Sequence, residues 1–597
     1  MIIEKRLNLL RTEMKKNNID IYIVPSIDAH NSEYVPNCWQ RRVWISNFTG
    51  SAGEAVVTLE HAYLWTDGRY FLQAETELDL THYTLMKQSG FVSEIESWLS
   101  DNAKGKTLAI DPKLLSIDRA NNLKNIMTNV SGKISFPEQN LIDICKTQLN
   151  ENLDLPGNPV YKLEDIYAGV TVTQKLQSIR LELQKNKADC ILLNVLDEIA
   201  WLFNLRGEDV NYNPLVISYA IVSINEVNLF VNLEKISNSL KTELQNLGIK
   251  LFNYNDFGNM LHQLNGTVWL DGKTANTWMQ EKLNSSVQII SKRSPIVMAK
   301  ACKNPTEQNG TRHAHIKDAV AVISFLSWLN NNWQNGVDEI LAENKLLEFR
   351  KKQTNLKGES FSTISGFGSN GAIIHYRASN NTKKVIDDSN MYLIDSGGQY
   401  LEGTTDITRT VHLGQPTELQ KKHYTLVLKG HLALARSKFP IGTNGEHLDA
   451  FARSYLWNEY LDYRHGTGHG VGSFLCVHEG PQKISKASSG TPLQSGMIVS
   501  NEPGFYLNGQ YGIRIENLCL ITDSKNKLGQ TSEFGPFLEF ENLTLVPYCK
   551  KLIDQSLLDS IEKQQIIDYY TEIKSSIRSL LSDADKIWLD SEMNLQG

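Results

Sequence analysis

Residues 17–29 read NNIDIYIVPSIDA and are followed at 43–50 by VWISNFTG; residues 186–198 read NKADCILLNVLDE and are followed at 199–207 by IAWLFNLRG. Each copy passes from a polar lead through an aspartate into an apolar strand. A loop carrying a second aspartate comes next, then an aromatic-rich stretch that closes on glycine. Asp20 and Asp189 are the matching points. Strand-like runs continue both copies, EAVVTL (54–59) and AYLWTDGRYFL (62–72) in the first, YAIVSI (219–224) and EVNLFVNL (226–233) in the second. Strands alternating with helical patterns imply two related mixed-sheet α/β domains.

Outward from this repeat, the Pro/Gly-rich DLPGNPVYKL (154–163) reads as a linker, and RSPIVMAKACKNP (293–305) as a second break. Asn304, Pro305 and Glu307 form a helix start, and AVAVISFLSWL (319–329) reads as a buried helix. The expected domains are therefore 1–157, 158–303 and 304–597. The last ends in a helical extension at 556–581, SLLDSIEKQQIIDYYTEIKSSIRSLL.

At 597 residues the chain needs several hydrophobic cores. Its 41% hydrophobic and 21% charged residues are an ordinary globular composition. A net charge of −7 over this length argues against a nucleic-acid groove. Residues 1–25 lack the apolar core of a signal peptide, and no apolar run reaches the ~18 residues of a membrane span, so no membrane association is expected. Seven scattered cysteines without a CxxC pair fit reduced thiols and a cytoplasmic location.

Four stretches of the last half set acidic residues into strand-like runs. MYLIDSGGQY (391–400) ends an apolar strand on Asp395. In TTDITRTVHLG (404–414), Asp406, Thr408 and Thr410 share a face, and the turn-rich GGQYLEGT between the two stretches allows a hairpin that joins Asp395 to Asp406. SGMIVSNEPGFY (495–506) delivers Glu502 just before Pro503-Gly504. YGIRIENLCLI (511–521) turns Arg514 and Glu516 away from Ile513 and Ile515. Singly, each carboxylate could be a turn residue or half of an ion pair. Together they are costly to bury without compensation, and divalent cations would supply it. HGTGHGVG (465–472) adds two histidines among glycines that let the backbone approach closely. Two Asp, two Glu and one His make an oxygen-rich set suited to Mn(II), Co(II) or Zn(II).

Asp395 in IDSGGQY, Asp406 in TTDITRT, His469 in GTGHGVG, Glu502 in NEPG and Glu516 in RIEN match, in order, the five-ligand pattern of the pita-bread metallopeptidases. The chain resembles the long, three-domain aminopeptidase P branch of that family. Matching stretches outside the site are DAHNSEYVP (28–36), GSAGEAVVT (50–58), LWTDGRYFLQAE (64–75), WLFNLRGEDVNYNP (201–214), GHGVGSFLCVHEGP (468–481) and TLVPYCKKLID (544–554). The resemblance implies a fold of two creatinase-like α/β domains followed by a pita-bread catalytic domain. It implies two divalent metal ions, Mn(II) first among them, held by Asp395, Asp406, His469, Glu502 and Glu516. It implies cleavage of the N-terminal Xaa-Pro bond of peptides by a water between the two ions, with Glu502 taking its proton. By the same resemblance His478 steadies the intermediate and shuttles protons, His375 and His465 line the proline pocket, and Arg514 supports the metal shell. A homodimer and peptide substrates with proline in second position are the implied partners. Arg41, Arg42 and Trp44 could face the active-site mouth, or be surface basic groups beside a buried Trp. The rival readings are a prolidase-type dipeptidase and a binding module that has lost catalysis, although no ligand is missing here.

Overall fold

The computed structural model describes residues 2–88, 93–151, 153–525 and 532–595. The chain divides into two compact units, Met1–Leu163 with Val170–Ile296, and Glu164–Gly169 with Val297–Gly597.

The first unit contains two six-stranded sheets of the same design. One runs Thr84–Lys87, Ala62–Thr66, Glu54–Thr58, Ile21–Val24, Thr107–Ala109, Lys133–Ser135. The other runs Ile249–Phe252, Val227–Val231, Ser218–Ser223, Cys190–Leu193, Thr267–Leu270, Gln288–Ser291. Parallel and antiparallel pairings follow the same succession in both. The repeated aspartate has one role in each copy: Asp20 accepts from the Thr107 N–H and Asp189 from the Thr267 N–H, each at 2.7 Å. Each thereby fixes where the central strand meets its parallel neighbour, which is why that position repeats. The aromatic-rich stretches become the helices Arg41–Ser46 and Leu196–Leu202. AYLWTDGRYFL is only half strand: pairing ends at Thr66, and Phe71–Glu77 is helical.

Arg41 and Arg42 are not surface groups, and Trp44 is buried, as the second of the two expectations has it. All three are buried. Arg41 forms a two-pronged pair with Asp143, Arg42 donates to the Phe48 and Gly50 carbonyls, and the Trp44 indole donates to Glu151. A guanidinium can be buried where its donors are met in this way.

The segment 293–305 is not a plain break, because Pro295–Ala301 is a helix with Ile296, Val297 and Ala301 buried. Asn304 then caps the helix Pro305–Asn332. Its side chain accepts from the Thr306 and Glu307 N–H groups, Glu307 accepts from the Asn304 N–H, and Pro305 occupies a position that needs no donor. That helix carries Ala319, Val322, Ile323, Phe325 and Leu329 into the main core of the second unit. The C-terminal pattern forms the helix Ser560–Ile577, whose Ile566, Tyr569, Tyr570 and Ile573 join the same core.

Three sheets of this unit position the site. One is six-stranded: Lys438–Pro440, Phe537–Asn542, Asn517–Ser524, Ile498–Asn501, Gly468–Gly470, Glu479–Ile484. A three-stranded sheet joins Ile364–Phe367, Met391–Ser396 and Ile407–His412, and a hairpin joins Gly504–Leu507 to Tyr511–Arg514. Among the described residues there is no disulfide bond.

Candidate active site

The five ligand-type residues stand at strand ends. Met391–Ser396 pairs antiparallel with Ile407–His412 so that Asp395 lies opposite Thr408, which leaves Asp406 just beyond the pairing and near Asp395. Glu502 follows the last residue of Ile498–Asn501. The expected single strand YGIRIENLCLI is split into Tyr511–Arg514, in the hairpin, and Asn517–Ser524, in the large sheet. Ile513 and Ile515 still enter the core, while Arg514 and Glu516 face the site.

HGTGHGVG is not simply a loop, since Gly468–Gly470 is a short strand between two neighbours. A Cβ at Gly468 would meet the Ser500 carbonyl oxygen at 2.0 Å, and one at Gly470 would meet that of Glu479 at 2.1 Å. Here the glycines admit neighbouring backbones rather than provide unusual torsions. The imidazole of His469 is set by its surroundings. Its Nδ1 lies 2.9 Å from the Gly470 carbonyl, an acceptor that requires a proton on Nδ1. Nε2, the other ring nitrogen, lies 3.5 Å from both Asp406 Oδ2 and Glu502 Oε1.

Asp406, His469 and Glu516 offer ligand atoms that all lie within 4.8 Å of one another. Thr408 donates to Glu516 Oε2 (2.8 Å), and Ser500 to Glu502 Oε1 (3.2 Å). Asp395 Oδ2 accepts from Arg514 Nη2 (2.5 Å). Asp395 Oδ1 and Asp406 Oδ1 are buried, with no hydrogen-bond partner among the described residues. Burial pushes the Asp406 carboxyl well above its ordinary range, and the charges of Asp395 and Glu502 push it further. Burial likewise raises Glu516, with Asp406, Asp395 and Glu502 adding to it. Glu502 is raised by burial against the opposing pull of His469 and Arg514. Orphaned oxygens, mutually repelling buried carboxylates and an imidazole nitrogen directed at them form a donor set that fits divalent cations.

The remaining expected residues surround this group. His478 meets His469 edge to face, with ring centroids 4.4 Å apart. His465 directs Nδ1 at the Gly466 carbonyl (2.8 Å) and Nε2 at the Tyr506 hydroxyl (2.9 Å). His375 is half-buried in the turn after Gly368–Ala372. The preceding carbonyl, that of Ile374, accepts from Arg514 Nη2 (3.4 Å). Burial acts against the Arg514 charge, but Tyr506, Asp395 and Glu502 more than offset it and hold the guanidinium firmly protonated.

Two contributors escape the sequence reading. The Tyr506 hydroxyl accepts from Arg514 Nη1 (2.5 Å) and can donate to His465 Nε2, so it links the arginine to the histidine. Glu339, fully buried, accepts from the N–H groups of Phe367 (2.6 Å) and Lys384 (2.9 Å), from Asn370 and from Tyr376, and so frames the turn that carries His375. The opposition of Tyr506 to Gly512 across the hairpin could have been sought around Pro503-Gly504; nothing in the local pattern marks Glu339.

Comparison with known proteins agrees with this architecture. Residues 309–523 match the model of metallopeptidase family M24, and 536–594 that of the C-terminal region of peptidase M24. Residues 6–143 and 151–307 each match a Creatinase/Prolidase N-terminal domain. A probable Xaa-Pro aminopeptidase P of Neurospora crassa is 44% identical over 98% of this chain and 88% of its own length. Xaa-Pro aminopeptidase 1 of Dictyostelium discoideum is 42% identical over 97% of this chain and 94% of its own. The crystal structure of X-prolyl aminopeptidase from Caenorhabditis elegans, described as a cytosolic enzyme with a di-nuclear active site, superposes with a TM-score of 0.94 at 32% identity, covering 100% of both chains. With its pita-bread catalytic domain and two creatinase-type N-terminal domains, the chain belongs to metallopeptidase family M24, in its Xaa-Pro aminopeptidase P group.

Proposed function

We propose that this protein is a metal-dependent aminopeptidase that removes the first residue of peptides whose second residue is proline. The observation that carries the reading is the grouping of Asp406, His469 and Glu516, with Glu502 3.5 Å from His469 and the charge of Asp395 felt by Asp406, and with two buried carboxylate oxygens that no donor among the described residues satisfies. These five side chains would hold two divalent cations, Mn(II) first among the candidates and Co(II) or Zn(II) also suited to the donor set. Such a pair supplies Lewis acidity toward the scissile carbonyl and an acidified water.

The protein's own groups handle binding and protons. Proline's amide nitrogen has no hydrogen, so a cleft cannot grip it by that donor, and recognition must come from shape. His375 and His465 offer ring faces for this purpose, the latter held by Tyr506. Glu502, whose Oε1 lies 3.5 Å from His469 Nε2, would accept the proton of the attacking water. His478, beside His469, steadies the developing charge and carries a proton to the leaving nitrogen, which departs as a secondary amine. Arg514 fixes Asp395 through Nη2 while Tyr506 takes its other prong.

The same proposal takes 1–157, 158–303 and 304–597 as the domains and a homodimer as the working form. The exposure of Phe451, Trp457 and Tyr460 supports a partner face, and sedimentation equilibrium tests it. A cytoplasmic location accords with the cytosolic description of the C. elegans enzyme. Among the described residues no helix is long and apolar enough to cross a membrane.

The decisive experiment measures release of the first residue from matched Xaa-Pro-Xaa and Xaa-Ala-Xaa tripeptides, with divalent ions returned one at a time to metal-depleted protein. Strong preference for proline and strict dependence on metal are expected. Equal rates on both peptides would refute the specificity. Activity confined to the Xaa-Pro dipeptide would make the protein a prolidase-type dipeptidase.

A further inference from the structure

Glu479, the residue after His478, is held between two lysines inside the protein. Its Oε1 lies 2.5 Å from Lys303 Nζ and its Oε2 2.6 Å from Lys300 Nζ. All three side chains are at most 3% exposed. Lys300 belongs to the helix Pro295–Ala301, and Lys303 directly precedes the Asn304 cap. The backbone of Lys303 is itself anchored, since its N–H donates to the Gly496 carbonyl (2.9 Å) and its carbonyl accepts from the Gln308 amide (2.7 Å). Both lysines are therefore attached to rigid elements. Across the sheet, Glu479 opposes Gly470 at an irregularity of register next to His469.

Burying three charges is expensive, and a fully buried ion cluster is on average no more stabilising than an apolar one of similar volume. Stability alone therefore gives no reason for this cluster. Its location does. The clamp holds the peptide unit adjoining His478 and the strand start that borders His469. We propose that Lys300 and Lys303 are positioning residues, acting through Glu479 to hold the His478 ring against His469. This inference rests on the role assigned above to His478.

The charge balance makes it testable without unfolding the protein. The cluster has two cations and one anion, so removing either lysine leaves one matched pair. Lys303→Met and Lys300→Met are each expected to fold, to keep bound metal at the parent stoichiometry and to melt within a few degrees of the parent. Each loosens one side of Glu479. A displacement of about 1 Å at a reacting group costs up to roughly 100-fold, so kcat and kcat/KM should fall together by about 10- to 100-fold with little change in KM. The discriminating measurement is Lys303→Met introduced into His478→Ala. If Lys303 acts only through His478, the double variant is no slower than His478→Ala within about twofold, because coupled residues are not additive. Parent-like kcat in both lysine variants, or the same fold-loss from Lys303→Met with and without His478, would overturn the inference and leave the cluster a structural feature. A His478→Ala protein with parent kcat would remove the role of His478 itself, and this inference with it.

Discussion

Replacing Arg514 by lysine keeps a cation in the site but removes its geometry. The guanidinium reaches four acceptors: Asp395 Oδ2 (2.5 Å), the Tyr506 hydroxyl (2.5 Å), Thr408 Oγ1 (3.2 Å) and the Ile374 carbonyl (3.4 Å). A single ammonium on a flexible stem cannot span this spread. If it follows the strongest attraction it stays with Asp395 and abandons Tyr506 and Thr408, which hold His465 and Glu516 respectively. Hydrogen bonds to charged groups contribute about 1.5–3 kcal/mol each. The retained charge and re-entering water recover part of that, leaving a net loss of roughly 1.4–2.8 kcal/mol. This equals a 10- to 100-fold weaker hold on the cations, the usual effect of altering a group behind the metal ligands. Titration of metal-depleted Arg514→Lys with Mn(II), followed by calorimetry and by recovery of activity, measures it. The variant should need 10- to 100-fold more metal and should not regain full kcat at saturation, because His465 has lost its restraint. Metal affinity within twofold of the parent, together with parent kcat, would refute the reasoning and reduce Arg514 to a counter-charge.

His469→Ala should lower bound metal and bring hydrolysis to background while the metal-free protein melts as the parent does, since the side chain lies at the cluster rather than in the core; atomic absorption and thermal melts check both. Glu339→Ala should destabilise the second unit by about 3 kcal/mol or more, because several buried donors around Phe367, Asn370 and Lys384 lose their acceptor; urea unfolding measures it. Glu343 is pushed up to about 7 by burial, with Glu359, Glu339 and Asp338 adding to the shift. The folded state thus holds this proton more tightly than the unfolded chain, and stability present at pH ~4 is lost as pH rises toward 7. Glu343→Gln should therefore raise Tm clearly at pH 8 and much less at pH 5. Asn304→Ala should cost about 1 kcal/mol through loss of the cap, read by urea unfolding.

The sequence by itself determined which chemistry is available and which segments repeat. Metal ligation admits few residue types, and it is their match in order to a family pattern that singles out Asp395, Asp406, His469, Glu502 and Glu516 among carboxylates that one at a time could be turn residues or ion-pair partners. The two N-terminal domains were legible because alternation, helix caps and the Asp20 and Asp189 positions are local signals. Tertiary structure alone decided what those signals could not express. It split YGIRIENLCLI between two sheets, because a strand's partner is chosen by distant segments. It made the glycines of HGTGHGVG a matter of clearance from the Ser500 and Glu479 carbonyls, which are near in space only after folding. It took Arg41 and Arg42 out of solvent, because their acceptors at Asp143 and Gly50 come within reach only on folding. Tyr506, Glu339 and the Lys300–Glu479–Lys303 cluster belong to the same class. Each acts through hydrogen bonds or charge over a few ångströms, and which groups come within that range is set by how the strands are ordered rather than by any pattern along the chain.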